Sequence, residues 1–402
     1  MGGMFDTTRS CPGVDGCKVV ERRVLLGVRD IAKGQFQRSN LVCGHILGHY
    51  HPHGDCFGSL VKMVRCGFVE GHGNFGDAFS PPAAMRYTSV KAKTHFSEGV
   101  FRFADFVPMR ETEFGTMEPC YLPVPLPLCL FSLPSVGIGV GMLSSMPVFT
   151  LQSLYVAMKK DNPSLLKAPR GLTIVSSSLQ DIWETGRGYV QYGLRCYQEK
   201  SEGDENRLVS IIEGSPQVFV PDLERIFSSE IEEELIYIRN ESVENIRFVV
   251  SRVKGIKRIS DEELHAKANQ ASTKTLFCKL YVSDGEVARI TPLREWLTQC
   301  WNLYCKAFEN YKRDQIETLE HKIYIFELIP RVYPLLLQEK KTQEIMRELN
   351  ETTKVIQEIE GKPLRLLRKK DFDEEIRKLR GDVRAVQDLT AENMGEEFIN
   401  SF

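Results

Sequence analysis

NLVCGHILGHYHPHGDCFGSLVKMVRC, residues 40–66, sets how the first third of the chain is read. Ser39 stands where an N-cap would, and Leu41, Val42, Ile46 and Leu47 supply apolar cover, which predicts a helix. Pro52 must stop it, because its ring cannot continue the hydrogen-bond ladder. GDCFGSLVKMVRC then starts another. Helix, tight break, helix is the grammar of a helix-turn-helix or winged-helix module. Upstream, ERRVLLGVRD reads as an amphipathic helix with Arg22, Arg23 and Arg29 on the wet side.

The same stretch holds four of the chain's eight histidines, His45, His49, His51 and His53. His45 and His49 are four apart, on one helical face, a spacing that suits zinc. Between them lie Ile46, Leu47 and Gly48, with no glutamate to act as a base, and Pro52 redirects the chain before His53. A structural role is therefore preferred for His45 and His49. His51 and His53, just ahead of a helix N-terminus, are placed to donate hydrogen bonds to a phosphate.

Composition bounds the classes. The 402 residues are 42% hydrophobic and 26% charged, values of an ordinary globular protein with room for two or three domains. No apolar run approaches a membrane span and the start lacks a signal-peptide core, so a soluble, cytoplasmic chain is expected. Eleven cysteines without metal or redox spacing read as free thiols. Net charge is −2, but residues 1–105 carry thirteen Lys or Arg against nine Asp or Glu, a local excess that fits a DNA-contacting face.

Beyond Asp105 the texture changes. YLPVPLPLCLFSLPSVGIGVGMLSSMP alternates proline with apolar residues and argues against helix, while Gly137, Gly139 and Gly141 permit close backbone approach. Residues 150–290 read as mixed α/β: GLTIVSSS, GYVQYGLRCYQE, RLVSIIEG, IRFVVSRV and TLFCKLYVS as strands, PDLERIFSSEIEE as a helix. Thr291-Pro292 opens a long helix. Leu297, Cys300, Tyr304, Ala307 and Tyr311 step by 3 and 4 along it, a seam of coiled-coil type, with helical pattern to Pro330. DFDEEIRKLRGDVRAVQDL could return antiparallel as the second half of a dimerisation stalk, with a short tail after Leu389.

PPAAMRYTSVK, residues 81–91, sets Arg86 beside Tyr87 among small residues that permit close approach. A phenol is almost wholly protonated at neutral pH, so attack on phosphorus would need help with its proton and cations for the developing charge.

Taken together, DGCKVVERRVL (15–25), GHYHPHGD (48–55), GHGNFGD (71–77), AAMRYT (83–88), VGIGVGMLSSMP (136–147) and TGRGYVQY (185–192) resemble, in order and spacing, the breakage-reunion subunit of type IIA DNA topoisomerases. The resemblance implies an α+β multidomain fold: a winged-helix cleavage domain over 1–147, an α/β tower over 148–290, an antiparallel coiled coil with a small helical dimer gate over 291–390, and a tail, 391–402. It implies that Tyr87 is the nucleophile of a 5′-phosphotyrosyl bond, that Arg86 clamps the scissile phosphate, and that His53 stabilises the transition state with His51 in support. Lys18, Arg22 and Arg23 match backbone-contacting positions, and Ile138 matches a side chain that wedges between base pairs. One nucleophile per strand requires two copies about a two-fold axis.

The chain shows no TOPRIM-type acidic cluster and no GxxxxGK[ST], so Mg²⁺ and ATP are expected to be held by an ATPase/TOPRIM subunit like the gyrase B subunit. A long DNA-wrapping C-terminal domain is not expected either, which favours relaxation and decatenation. Glu21 and His72 depart from the family's pattern, and the compact length suggests a phage source. A non-catalytic winged-helix DNA-binding or architectural protein is the competing class, and a zinc hydrolase built on the histidines a third.

Overall fold

The computed structural model describes residues 10–52, 54–77, 80–112, 114–132, 136–139, 142–201, 204–214, 222–242, 246–255, 258–271, 273–338 and 369–401. It divides into two compact units, Met1–Cys305 with Gly395–Phe402, and Lys306–Met394. The architecture is mixed α/β, as expected.

The first unit opens with three helices, α1 (Val19–Ile31), α2 (Ser39–His49) and α3 (Phe57–Arg65). Val24, Leu25, Leu26 and Val28 bury the inner face of α1. Its first turn is closed by Glu21, whose carboxylate accepts the Lys18 N–H at 2.8 Å. α2 packs closely against α1, because a Cβ at Gly27 would lie 2.3 Å from Ile46 Cγ1. The helix ends before Pro52 as predicted, with the His51 N–H donating to the Ile46 carbonyl.

Two details of α2 correct the sequence reading. Ser39 is its first helical residue and caps nothing; its hydroxyl instead accepts from Thr88. Val42, Cys43 and Ile46 make the buried face, whereas Leu41 and Leu47 are exposed. The face toward α1 is fixed by the close approach at Gly27, which leaves room for one apolar stripe and turns the neighbouring leucines outward.

A three-stranded antiparallel sheet follows, β1 (Gln37–Arg38), β2 (Val69–His72) and β3 (Ser89–Ala92) in the order β1-β3-β2. After α4 (Thr94–Gly99) come a small hairpin, β4 (Met109–Glu111) with β5 (Met117–Pro119), and the pair β6 (Val136–Gly139) and β7 (Met142–Ser145). Among its described residues the proline-rich stretch is non-helical apart from one short 3₁₀ turn, in keeping with its composition.

β6 and β7 form one end of an eight-stranded antiparallel sheet completed by β8 (Leu172–Ser177), β9 (Arg187–Ser201), β10 (Asp204–Gly214), β11 (Ile236–Asn240), β12 (Ile246–Arg252) and β13 (Thr273–Lys279). The order is β11-β12-β10-β9-β13-β7-β6, with β8 also on β9. Helices α5 (Leu151–Lys160) and α6 (Leu179–Thr185) precede and follow β8. The helix predicted over 221–233 is two short ones, α7 (Leu223–Ile226) and α8 (Ser228–Glu232), interrupted where Phe227 leaves helical geometry at φ −112°, ψ 25°. Helix α9 (Asp261–Ala271) and a last hairpin, β14 (Tyr281–Ser283) with β15 (Ala288–Ile290), complete the region.

Helix α10 (Leu293–Gln338) starts after Pro292 as predicted and runs on through Pro330 and Pro334. Leu297, Cys300 and Tyr304 are buried within the first unit: the Trp296 indole N–H donates to the Val14 carbonyl at 2.8 Å, and Tyr304 packs on Phe103 at 6.0 Å. In the second unit α11 (Lys369–Asp388) runs antiparallel to α10, since Lys312 Nζ donates to the Gln387 and Leu389 carbonyls while Phe326 meets Phe372 at 6.2 Å. The residues between them, 339–368, lie outside the described ones. The expected tail is instead a helix, α12 (Ala391–Asn400), whose Phe398 packs against Phe96 at 6.0 Å; burying such a ring contributes about 1.5–3 kcal/mol. No helix among the described residues is long and apolar enough to cross a membrane.

Candidate functional site

Tyr87 ends a single 3₁₀ turn, Met85–Tyr87, and the next residue explains its orientation. Thr88 is fully buried; its hydroxyl donates to Ser39 Oγ at 2.8 Å and its carbonyl accepts the Ser39 N–H at 3.0 Å. Anchored there and continuing as β3, the chain presents Tyr87 outward, 63% exposed. Arg86 comes with it, its guanidinium carbon 4.6 Å from the centroid of the Tyr87 ring. The turn also needs Gly73: at φ +101°, a Cβ there would sit 2.9 Å from the Tyr87 carbonyl oxygen.

The approach to this turn is organised by Arg65 at the end of α3. Its Nε donates to the Phe75 carbonyl at 3.1 Å and its Nη2 to the Asp77 carbonyl at 3.0 Å. Asn74 Oδ1 accepts the Gly76 N–H, and the Asn74 carbonyl accepts the Ala83 N–H at 2.9 Å. After the end of β2, GNFGD is thus a loop whose Asn74 carbonyl holds the start of the AAMRY segment.

The α1 residues form a second cluster. Arg22 and Arg23 are 4% and 7% exposed, which corrects their expected wet-side placement. Each turns inward because a carboxylate waits there. Arg22 pairs with Asp15 at 2.7 Å, and Arg23 pairs with Glu118 of β5 at 2.9 Å. Burial alone would lower the Arg22 pKa, but Asp15 more than offsets it and holds the guanidinium above its ordinary value. Arg23 Nη1 reaches His51 Nδ1 at 3.3 Å, so His51 is brought to Arg23. His53 lies outside the described residues.

Lys18 faces elsewhere. Its ammonium donates to the Val136 carbonyl of β6 at 2.8 Å, and burial pulls its pKa below the usual lysine value. That bond ties the start of α1 to the hairpin bearing Ile138, the most exposed large apolar side chain among the described residues at 75%. Leu143, paired with Ile138 across the hairpin, is also exposed. Gly137 permits the arrangement, because a Cβ there would meet the Ser10 carbonyl oxygen at 2.3 Å.

Glu21 is buried against Lys62. His72 is exposed and packs on Phe36 at 5.6 Å. His45 and His49 stack at 4.1 Å, with His45 Nε2 3.4 Å from Asp30 Oδ2. Among the described residues no group of three or more His, Cys, Asp or Glu is placed to hold a metal ion. Sequence reasoning did not single out Asp15, Arg65 or Glu118. Asp15 meets its partner seven residues on, but Glu118 meets one 95 residues away.

The mixed α/β body thus carries an exposed tyrosine flanked by arginine, a histidine held by a buried ion pair and an exposed isoleucine on a hairpin. The family model for the A subunit of DNA gyrase/topoisomerase IV matches residues 9–401, and the chain belongs to that family. It is similar to the chloroplastic/mitochondrial DNA gyrase A subunit of Arabidopsis thaliana, 28% identical over 361 residues, 79% of this chain and 37% of that protein. With the DNA gyrase A subunit of Kosmotoga olearia the identity is 26% over 389 residues, 87% of this chain and 48% of the relative. With the DNA topoisomerase 4 A subunit of Neisseria gonorrhoeae it is 34% over 232 residues, 50% and 30%. The chain therefore spans less than half the length of these relatives.

Proposed function

We propose that the chain is the DNA-cleaving and rejoining subunit of an ATP-dependent type II topoisomerase, opening one duplex so that another can pass, in relaxation and decatenation. The observation that carries this reading is the Arg86–Tyr87 pair on an outward turn anchored by buried Thr88. In the step itself Tyr87 Oη attacks the phosphorus of a backbone phosphodiester, the new Oη–P bond forms as the P–O3′ bond breaks, and the phenolic proton passes to the leaving 3′ oxygen directly or through solvent. Arg86 offsets charge on the phosphoryl oxygens, and His51 and His53 donate hydrogen bonds to it. Religation is the reverse attack by the 3′ hydroxyl, and because the ester bond energy is retained it needs no ATP.

Ile138, exposed on the β6–β7 hairpin, would enter the base stack and bend the duplex, with Lys18 holding the hairpin at the Val136 carbonyl. Arg22 and Arg23, matched to backbone-contacting positions, would act on DNA by shaping the site from within. Residues 1–147 are read as the winged-helix cleavage domain, 148–290 as the tower, 291–390 as coiled coil and dimer gate, and 391–402 as the C-terminal segment. Two copies would supply one Tyr87 per strand. The reading assigns Mg²⁺, which would supply Lewis acidity, and ATP to a TOPRIM-bearing partner subunit, with the assembly acting in the cytoplasm.

Covalent trapping tests this. With the partner subunit and Mg²⁺, denaturation during turnover is expected to leave this chain bound covalently to DNA, and Tyr87→Phe to abolish the adduct while duplex binding persists. Binding without any adduct from the wild-type chain would instead support a non-catalytic DNA-binding protein.

A further inference from the structure

Glu118 carries more structure than a surface carboxylate could. It is 1% exposed and lies on β5 directly across from Arg110 of β4. Two arginines converge on it. Arg110 donates through Nε at 2.9 Å and Nη2 at 2.8 Å, and Arg23 donates through Nε at 2.9 Å and Nη2 at 3.1 Å. A guanidinium is a rigid planar fork, so once Nε and Nη2 are held the direction of Nη1 is set. That nitrogen points to His51 Nδ1, 3.3 Å away.

The chemistry of this contact has one solution. Arginine only donates, so Nδ1 must accept with its lone pair, and the hydrogen of the neutral ring sits on Nε2. The backbone of His51 is fixed as well, by its N–H to the Ile46 carbonyl at 2.8 Å and by Pro52 next in the chain. We infer that Glu118 is a positioning residue of the cleavage site: through Arg23 it fixes the tautomer and orientation of His51 so that Nε2–H is a hydrogen-bond donor to a phosphoryl oxygen. This rests on the reading above, in which His51 meets the scissile phosphate.

The test is a double-mutant cycle in the trapping assay on the assembled enzyme, joined to ¹⁵N NMR of the histidine-labelled chain. His51→Ala is expected to slow cleavage by about 10²–10³. Glu118→Gln is expected to slow it by about 10- to 100-fold, the scale of a misplaced group, at unchanged DNA affinity. The double variant should be no slower than His51→Ala alone, because Glu118 acts only through that ring. In the spectra, the wild-type His51 signals should report a bare Nδ1 and a protonated Nε2, and Glu118→Gln should shift them toward a mixture. Losses that multiply, or a His51 signature unchanged in Glu118→Gln, would overturn the relay. Full cleavage by His51→Ala would instead reject the reading of His51 at the phosphate, while the spectra still report on the relay. Should Glu118→Gln lose cooperative melting, Arg23→Lys serves in the same cycle: it keeps a charge for Glu118 but has no fork to hold Nδ1.

Discussion

The Arg86 guanidinium lies over the face of the Tyr87 ring, 4.6 Å from its centroid, on a turn where both are adjacent in sequence and Thr88 is fully buried behind them. The pair is therefore presented as a unit. A cation stacked on a phenol at an exposed site gains only about 0.5–1 kcal/mol, too little to fix the geometry alone. The anchoring hydrogen bonds of Thr88 to Ser39 do most of that.

From this geometry, Arg86→Lys keeps the charge but loses the planar fork, so cleavage should fall, with Arg86→Ala falling further, by about 10²–10³ if one transition-state donor is lost. Duplex affinity should change little, since one phosphate contact among many is involved. Gel-shift and single-turnover cleavage on the same preparations separate the two, and equal losses in both would show that Arg86 serves binding rather than chemistry.

The β6–β7 hairpin yields a second pair of outcomes. Ile138→Ala removes an exposed side chain, so the fold should melt as before while DNA bending, read by fluorescence transfer between duplex ends, diminishes. Gly137→Ala places a methyl 2.3 Å from the Ser10 carbonyl oxygen and must displace the hairpin, at a cost of about 1–3 kcal/mol. Unaltered bending in Ile138→Ala would remove the wedge role.

Much of this was legible in the sequence because it is local. Pro52 terminating α2, Pro292 opening α10 and the apolar β-rich runs from Leu172 to Lys279 all announce themselves within a few residues. What was not legible depends on pairings that no helical or strand periodicity announces. Arg22 and Arg23 look like solvated helix charges until Asp15 and Glu118 are brought against them. Leu41 and Leu47 look buried until Gly27 fixes which face of α2 meets α1. Helical pattern pointed to an end at Pro330, yet the helix continues, because proline weakens a ladder without fixing where tertiary structure ends it.

Arg65 is a third place to test the design. It is exposed, yet it gathers the Phe75 and Asp77 carbonyls that shape the loop leading to Tyr87. Arg65→Ala should cost about 1–2 kcal/mol of stability, the low side for hydrogen bonds to a charged group because water can replace part of them. Cleavage should drop by more than that loss of folded protein explains. Thermal melts beside trapping yields decide it; full activity in the variant would mean that the loop holds its shape unaided.

Glu21, a departure from the family's pattern, links the start of α1 to α3. Its carboxylate accepts the Lys18 N–H and pairs with the half-buried Lys62 ammonium. Burial by itself would lower the Lys62 pKa, but the charge and hydrogen bond of Glu21 outweigh it and raise the pKa above the ordinary value. A lysine whose folded pKa exceeds its unfolded value, about 10.4, contributes stability that is fully present below that pH and is lost as pH rises through the folded pKa. Glu21→Gln should therefore cost about 2–3 kcal/mol near neutral pH, where it leaves a half-buried ammonium without its partner. The variant's Lys62, pushed down by burial alone, releases its proton earlier, so the gap to the wild type should narrow above about pH 10. Urea melts at pH 7, 9 and 10.5 measure the gap directly, and a difference that stays constant over that range would mean that Glu21 acts through the helix cap on Lys18 and not through Lys62.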